Sequence, residues 1–163
     1  LVDFVFAFPG FLLILALAAF FQASSILTLI FILSLTIWAS FARLVRGEVL
    51  HLKEKEFVLN SKATGAGSLR ILCFYIWPNL LGSLLVQATF TLASVVLIES
   101  SLSFLGVGVP PSTPSWGSML NSGRNYLLEA PYLSLFPGLA LFLLVIGINL
   151  IGEGLRIQFD PEH

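Results

Sequence analysis

Apolar positions run almost unbroken along this chain, and the polar interruptions divide it. From Phe4 to Ala42 there is no charged residue. As one helix that run would be roughly 58 Å long at 1.5 Å per residue, nearly twice a hydrocarbon core of about 30 Å. Two crossings fit better, with a turn expected near Gln22-Ala23-Ser24-Ser25. Pro9-Gly10 is expected to kink the first crossing or to mark its start. A third apolar run covers Asn79–Phe104, with Glu99 as its only ionisable group, and a fourth covers Tyr132–Gly152. Between these two, Gly106, Gly108, Pro110, Pro111 and Pro114 break regular structure. Thr113-Pro114 there is expected to supply the N-cap and first-position pair of a short helix. Trp116, Met119, Leu120 and Leu127 fall near one face of it, and Trp116, Tyr126 and Tyr132 suit a membrane interface.

The longest polar break is Arg43–Pro78. It holds six of the eight Lys and Arg residues: Arg43, Arg46, Lys53, Lys55, Lys62 and Arg70. A basic segment between membrane-length runs belongs on the cytoplasmic face, because Lys and Arg resist translocation. Its composition also favours helix. Glu54 to Thr64 reads as a short helix ended by Gly65 in the left-handed region, and Ser68 is placed to cap a second helix that Pro78 stops near Trp77. Ser61 and Gly65, four apart, share a face; Asn60 and Thr64 make a neighbouring pair. Small residues there would admit a close partner, with Phe57 as an aromatic knob. Four crossings place both ends of the chain inside with seven of the eight basic residues, Arg124 being the exception.

Composition agrees with a membrane reading. Of 163 residues 57% are hydrophobic and 10% charged, against roughly a quarter charged in soluble domains. The formal net charge of −1 argues against a nucleic-acid partner. A lone Cys73 forms no internal disulfide. Leu1 is not an initiator Met and residues 1–10 carry no basic segment, so the expectation is a fragment or a truncated product rather than a signal peptide.

No catalytic set is visible. His51 and His163, the two histidines, lack metal-ligand spacing with each other, with Cys73 or with a carboxylate. The spans place no second acid beside Glu99, no serine has a base at membrane depth, and there is no glycine-rich phosphate loop to bind ATP. Neither enzyme activity nor a cofactor is expected. Glu99 has two readings: an intramembrane carboxylate on a solute pathway, or a group near the far interface capped by Ser100 or Ser103. Ser34, Thr36 and Ser40 read as helix-packing hydroxyls, and Gly82, Ser83, Ala88, Ala93 and Ser94 as small residues where neighbouring helices approach.

Ala63-x-Gly65, thirteen residues before Pro78 in Ile76-Trp77-Pro78-Asn79, resembles the conserved cytoplasmic loop of ABC importer permeases. Ser101–Gly108, Pro114-Ser115-Trp116-Gly117, Ser134–Gly138 and Gly152–Arg156 are similar to the dipeptide, oligopeptide and nickel branch of that family. Leu59 stands where the motif has Glu, and Asn60-Ser61 replaces Ala-Ala. The resemblance covers essentially the whole chain but only the later part of a typical member. It implies an all-α polytopic membrane helical bundle: about four transmembrane helices, a short cytoplasmic coupling helix and an extracytoplasmic surface helix. Residues 1–163 then form one permease domain lacking its N-terminal spans.

The resemblance further implies a permease subunit for peptides or related small solutes, with nickel as another possible cargo, in a bacterial or archaeal inner membrane. Its partners would be a second permease subunit, two cytoplasmic ABC ATPase subunits, an extracytoplasmic solute-binding protein and the lipid bilayer. Phe57, Asn60, Ser61, Ala63 and Gly65 would contact the ATPase, and solute selection would rest mostly with the binding protein. The alternative is an ion channel subunit, in which Gly106-Val107-Gly108 would line a filter with carbonyls.

Overall fold

The computed structural model describes residues 2–21, 25–110 and 112–159. All regular secondary structure among the described residues is helical, as a hydrocarbon environment demands of an open chain, since a helix satisfies its backbone polar groups within one segment. The first helices are α1, Val2–Phe6, and α2, Gly10–Phe20. They are followed by α3, Ile26–Leu52, and α4, Glu56–Ala63. Next come α5, Ser68–Ile71, a π-helical turn over Leu72–Ile76, and α6, Trp77–Phe104. The last two are α7, Trp116–Gly123, and α8, Tyr132–Phe159. Three stretches are long and apolar enough to cross a membrane: Ile26–Leu52, Ser68–Phe104 and Tyr132–Phe159.

The first crossing is broken. Pro9 precedes α2 as its N-cap residue, with φ −59° and ψ 117°, so proline begins this helix rather than bending it. Alone, α2 reaches only about 16 Å. Its neighbours show what it accomplishes together with α1. The Arg43 guanidinium lies 3.7 Å from the Asp3 carboxylate and 3.5 Å over the Phe6 ring. Farther along, Ile14 and Ala18 pack with Leu29, Ile32, Leu33 and Leu102. The two pieces thus run beside α3 from the level of Arg43 to that of Leu29. Along α3 that reach is about 21 Å, roughly two thirds of a hydrocarbon core. Of the expected turn, residues 22–24 lie outside the described residues; Ser25 caps α3, its side chain accepting from the Thr28 amide at 3.2 Å. The acidic tail at 160–163 also lies outside them.

Two boundaries depart from expectation. The polar break is not a long loop, because α3 continues through Arg43 and Arg46 to Leu52; local helix propensity carries it past the end of the apolar run. Nor does Pro78 stop a helix. Chain from Ser68 to Phe104 is continuous, and the π turn immediately before Trp77-Pro78 absorbs the missing proline N–H by resetting the hydrogen-bond register. Asn79 Nδ2 donates to the Tyr75 carbonyl at 2.6 Å, supporting the backbone there. Gly67, not Ser68, precedes the first turn.

α6 and α8 pack antiparallel through small residues. A Cβ on Gly82 would stand 2.9 Å from Phe159 Cβ, and one on Gly152 would stand 2.6 Å from Thr89 Oγ1. Ala93 is buried in the same way, whereas Ala88 and Ser94 are exposed, so only part of the expected small-residue set faces a neighbour here. Thr36 is buried and its hydroxyl bonds the Ile32 and Leu33 carbonyls, as expected of a packing hydroxyl. A second cluster, Leu52, Val58, Ile71, Ile76 and Leu80, ties α4 to the ends of α3 and α6.

Candidate functional site

α4 is a discrete helix held between two membrane-length ones. A turn of three residues, Lys53–Lys55, precedes it, and its end is closed by a Schellman arrangement. Gly65 adopts φ +82°, its amide donating to the Lys62 carbonyl at 3.0 Å, and the Ala66 amide returns to the Ser61 carbonyl at 3.1 Å. Left-handed backbone of this kind strongly favours glycine. Among the described residues, no atom beyond its chain neighbours lies within 4 Å of where a Gly65 side chain would begin.

The helix is anchored by one face only. Val58 is fully buried and Ser61 is 6% exposed, both turned toward the chain's own helices. Ser61 was expected on the open face, and that placement is corrected. With an anchoring apolar residue at Val58, the position three later turns to the same side. Its hydroxyl has no hydrogen-bond partner among the described residues. Phe57 at 40% exposure, Asn60, Ala63 and Gly65 lie at the surface, joined by Leu59. Leu59, which departs from the family motif, adds apolar area to the exposed face and was not among the expected contact residues; an exposed Leu on so short a helix was the signal available.

At the opposite end of the bundle, Ser103 organises the end of α6. It is 4% exposed, donates to Glu99 Oε1 at 2.7 Å, and accepts from the Val109 amide at 3.3 Å. Ser100 Oγ lies 3.4 Å from Glu99 Oε2. Both serines expected to cap this carboxylate therefore do so. Half-buried Glu99 also lines a cleft of about 500 Å³ with Val95, Ser115, Trp116 and Met119. Capping and access to a cleft coexist.

α7 is seated against this end by glycine. A Cβ on Gly117 would meet the Ser100 carbonyl, with Ser100 Cα at 2.7 Å and Ser103 Cβ at 2.8 Å. Asn121 Nδ2 donates to the Phe104 carbonyl at 2.7 Å. The N-cap is Ser115 rather than Thr113: the Ser115 and Ser118 side chains reciprocally accept from each other's backbone amides at 3.2 and 3.1 Å. Trp116 and Met119 remain exposed.

Gly106-Val107-Gly108 is a helix ending. Gly106 has φ +83°; its amide bonds the Ser103 carbonyl at 3.1 Å, and the Val107 amide bonds the Leu102 carbonyl at 2.9 Å. Gly108 lies against Ser103, whose amide nitrogen would be 2.5 Å from an added Cβ. The segment is thus folded into a tight helix ending, with the Gly106 and Val107 amides capping α6, and is not the extended row of carbonyls that a filter needs. Among the described residues no group of three or more His, Cys, Asp or Glu is placed to hold a metal ion.

Comparison with known proteins agrees with this architecture. The family model described as "Binding-protein-dependent transport system inner membrane component" matches residues 1–162. The glutathione transport system permease protein GsiD of Escherichia coli O1:K1 is 41% identical over 160 residues, covering 98% of this chain and 52% of that protein. GsiD of Shigella flexneri serotype 5b (strain 8401) matches with the same identity and coverage. The chain spans about half the length of these curated relatives, which are transport permeases and not enzymes. By its helical architecture and by this match along nearly its whole length, the chain belongs to the family of binding-protein-dependent transport system inner membrane components, the permeases of ABC importers.

Proposed function

We propose that this chain forms part of a permease subunit of an ATP-driven importer for small peptides, lining half of a translocation path and receiving the ATPase stroke through α4. The observation that carries the reading is α4 itself. It is anchored by Val58 and Ser61 while Phe57, Leu59, Asn60 and Ala63 are left exposed, and its neighbours α3 and α5–α6 continue directly into the bundle. A push on such a helix moves two spans together, because the cluster around Val58 includes Leu52 of α3 and Ile76 and Leu80.

The basic end, with Arg43, Arg46, Lys53, Lys55, Lys62 and Arg70, faces the cytoplasm on the charge bias of membrane insertion. The two described ends, at Val2 and Phe159, lie on that side. The partners are a second permease subunit, two ATPase subunits and an extracytoplasmic binding protein. A glutathione permease among the relatives favours a peptide over nickel as the solute. In this reading Glu99, which lines the cleft at the far end, meets the ammonium group of an entering peptide.

The test is ATP-dependent uptake of labelled glutathione by the full transporter in proteoliposomes. Phe57→Ala should lower ATPase association and uptake together, by about tenfold for loss of a central aromatic contact, while the permease stays in the membrane. Full uptake with Phe57→Ala would refute α4 as the coupling contact. Glu99→Gln should slow uptake with ATPase association unchanged; unaltered uptake would leave Glu99 as a capped structural group only.

A further inference from the structure

A second cleft, of about 490 Å³, opens at the basic end of the bundle between α3, the start of α6 and the end of α8. Its volume falls in the range of small-molecule sites, roughly 300–1,000 Å³. Its walls carry both signs of charge, from different helices. Glu48 on α3 supplies one carboxylate, Lys55 before α4 and Arg156 on α8 supply two cations, and His51 is a further titratable side chain. Asn79 and Gln87 lie along the α6 wall.

Among the described residues, Glu48, Asn79, Gln87 and Arg156 have capacity to spare. Glu48 Oε1 accepts from Ser83 Oγ at 3.2 Å, which orients the carboxylate and leaves its other oxygen available. Asn79 and Gln87 use their amide nitrogens toward Tyr75 and Thr91, so their carbonyl oxygens can accept from peptide N–H groups. Arg156 approaches Glu153 only at 3.9 Å, both side chains being more than half exposed. An exposed pair that long holds weakly, and a ligand carboxylate can compete for the guanidinium with bidentate geometry.

We infer that this cleft is a release-side binding site for a small peptide bearing two carboxylates and one free ammonium. The ammonium lies against Glu48, the carboxylates against Lys55 and Arg156, and the peptide bond along Asn79 and Gln87. The inference rests on the peptide-importer reading and extends it to the end of the path. Because Lys55 immediately precedes α4, an occupant would touch the residue from which the coupling helix starts.

The experiment is calorimetric titration of the full transporter in nanodiscs, without the binding protein, using glutathione, its N-acetyl derivative and glycerophosphoethanolamine. Wild type should bind glutathione saturably. Arg156→Gln and Lys55→Gln should each weaken it about tenfold, the loss expected for one hydrogen bond to a charged group. Lys55 makes no side-chain cap to α4, so its replacement spares the helix. Glu48→Gln should weaken glutathione similarly while leaving the affinity of the N-acetyl derivative unchanged. Absent binding, equal affinity in all variants, or glycerophosphoethanolamine binding as tightly as glutathione would overturn the inference. Uptake measured in parallel separates the two claims. Loss of the variant pattern with uptake intact removes the cleft; the pattern without ATP-dependent uptake removes the importer.

Discussion

Gly65 offers the sharpest perturbation of α4 and so of its proposed coupling role. Its φ of +82° closes α4 through the Gly65–Lys62 and Ala66–Ser61 bonds. Among the described residues, no atom beyond its chain neighbours stands within 4 Å of a would-be Cβ, so a substitution meets no clash there and its cost is that of the backbone alone. For alanine that cost is about 1 kcal/mol, and it is greater for a β-branched residue, whose crowding at χ1 adds to the left-handed penalty. About 1.4 kcal/mol is tenfold in an equilibrium, so Gly65→Val should populate opened helix ends by an order of magnitude more than wild type. Asparagine tolerates left-handed backbone, which makes Gly65→Asn a control that adds bulk with less strain. If α4 docks through its C-terminal end, both variants should lose ATPase association and uptake, Val more than Asn. If only the backbone matters, Asn should behave nearly as wild type. The assay is ATPase co-purification beside uptake in the assembled transporter, with membrane content as control. Full association and full uptake in Gly65→Val would make α4 an ordinary connector and refute the coupling argument.

Other expectations are independent of that one. Ser61→Ala removes a buried hydroxyl that has no partner, so thermal stability in detergent should be unchanged or rise by up to about 1 kcal/mol; a clear loss would mean that the hydroxyl has an unseen partner. Gly117→Ala places a methyl group against Ser100 and Ser103 backbone and side-chain atoms and should cost about 1–3 kcal/mol as overpacking, read as a lowered melting temperature; an unchanged one would show that α7 shifts freely. In a Cys73→Ser background, cysteines at 55 and 62 should resist an impermeant thiol reagent applied to intact cells while one at 124 reacts. Labelling at 55 from outside would invert the topology.

Membrane character, helical class and the basic segment are written in composition and order, because hydrocarbon admits few charges and leaves the backbone only its own hydrogen bonds. The glycine that ends α4 was legible for a local reason: a left-handed residue after a short helical run needs no tertiary partner to be anticipated. Serine 61 was not. Which face of an eight-residue helix turns inward depends on Leu52 of α3 and on Ile71, Ile76 and Leu80 of the continuous stretch that follows α4. Pro78 reads as a stop in sequence, yet packing carries a continuous helix through it by way of a π turn. Pro9 does separate two short helices, and only the pairing of Asp3 and Phe6 with Arg43 reveals that these follow a single path along α3. The Gly106–Gly108 segment was open to two readings until the amides of Gly106 and Val107 were found capping α6. Most distant from the sequence is the cleft at the basic end, since Glu48, Lys55 and Arg156 meet only through the antiparallel packing that Gly82 and Gly152 permit between α6 and α8. Chemistry assembled from groups a hundred residues apart follows from helix packing, which local pattern does not encode.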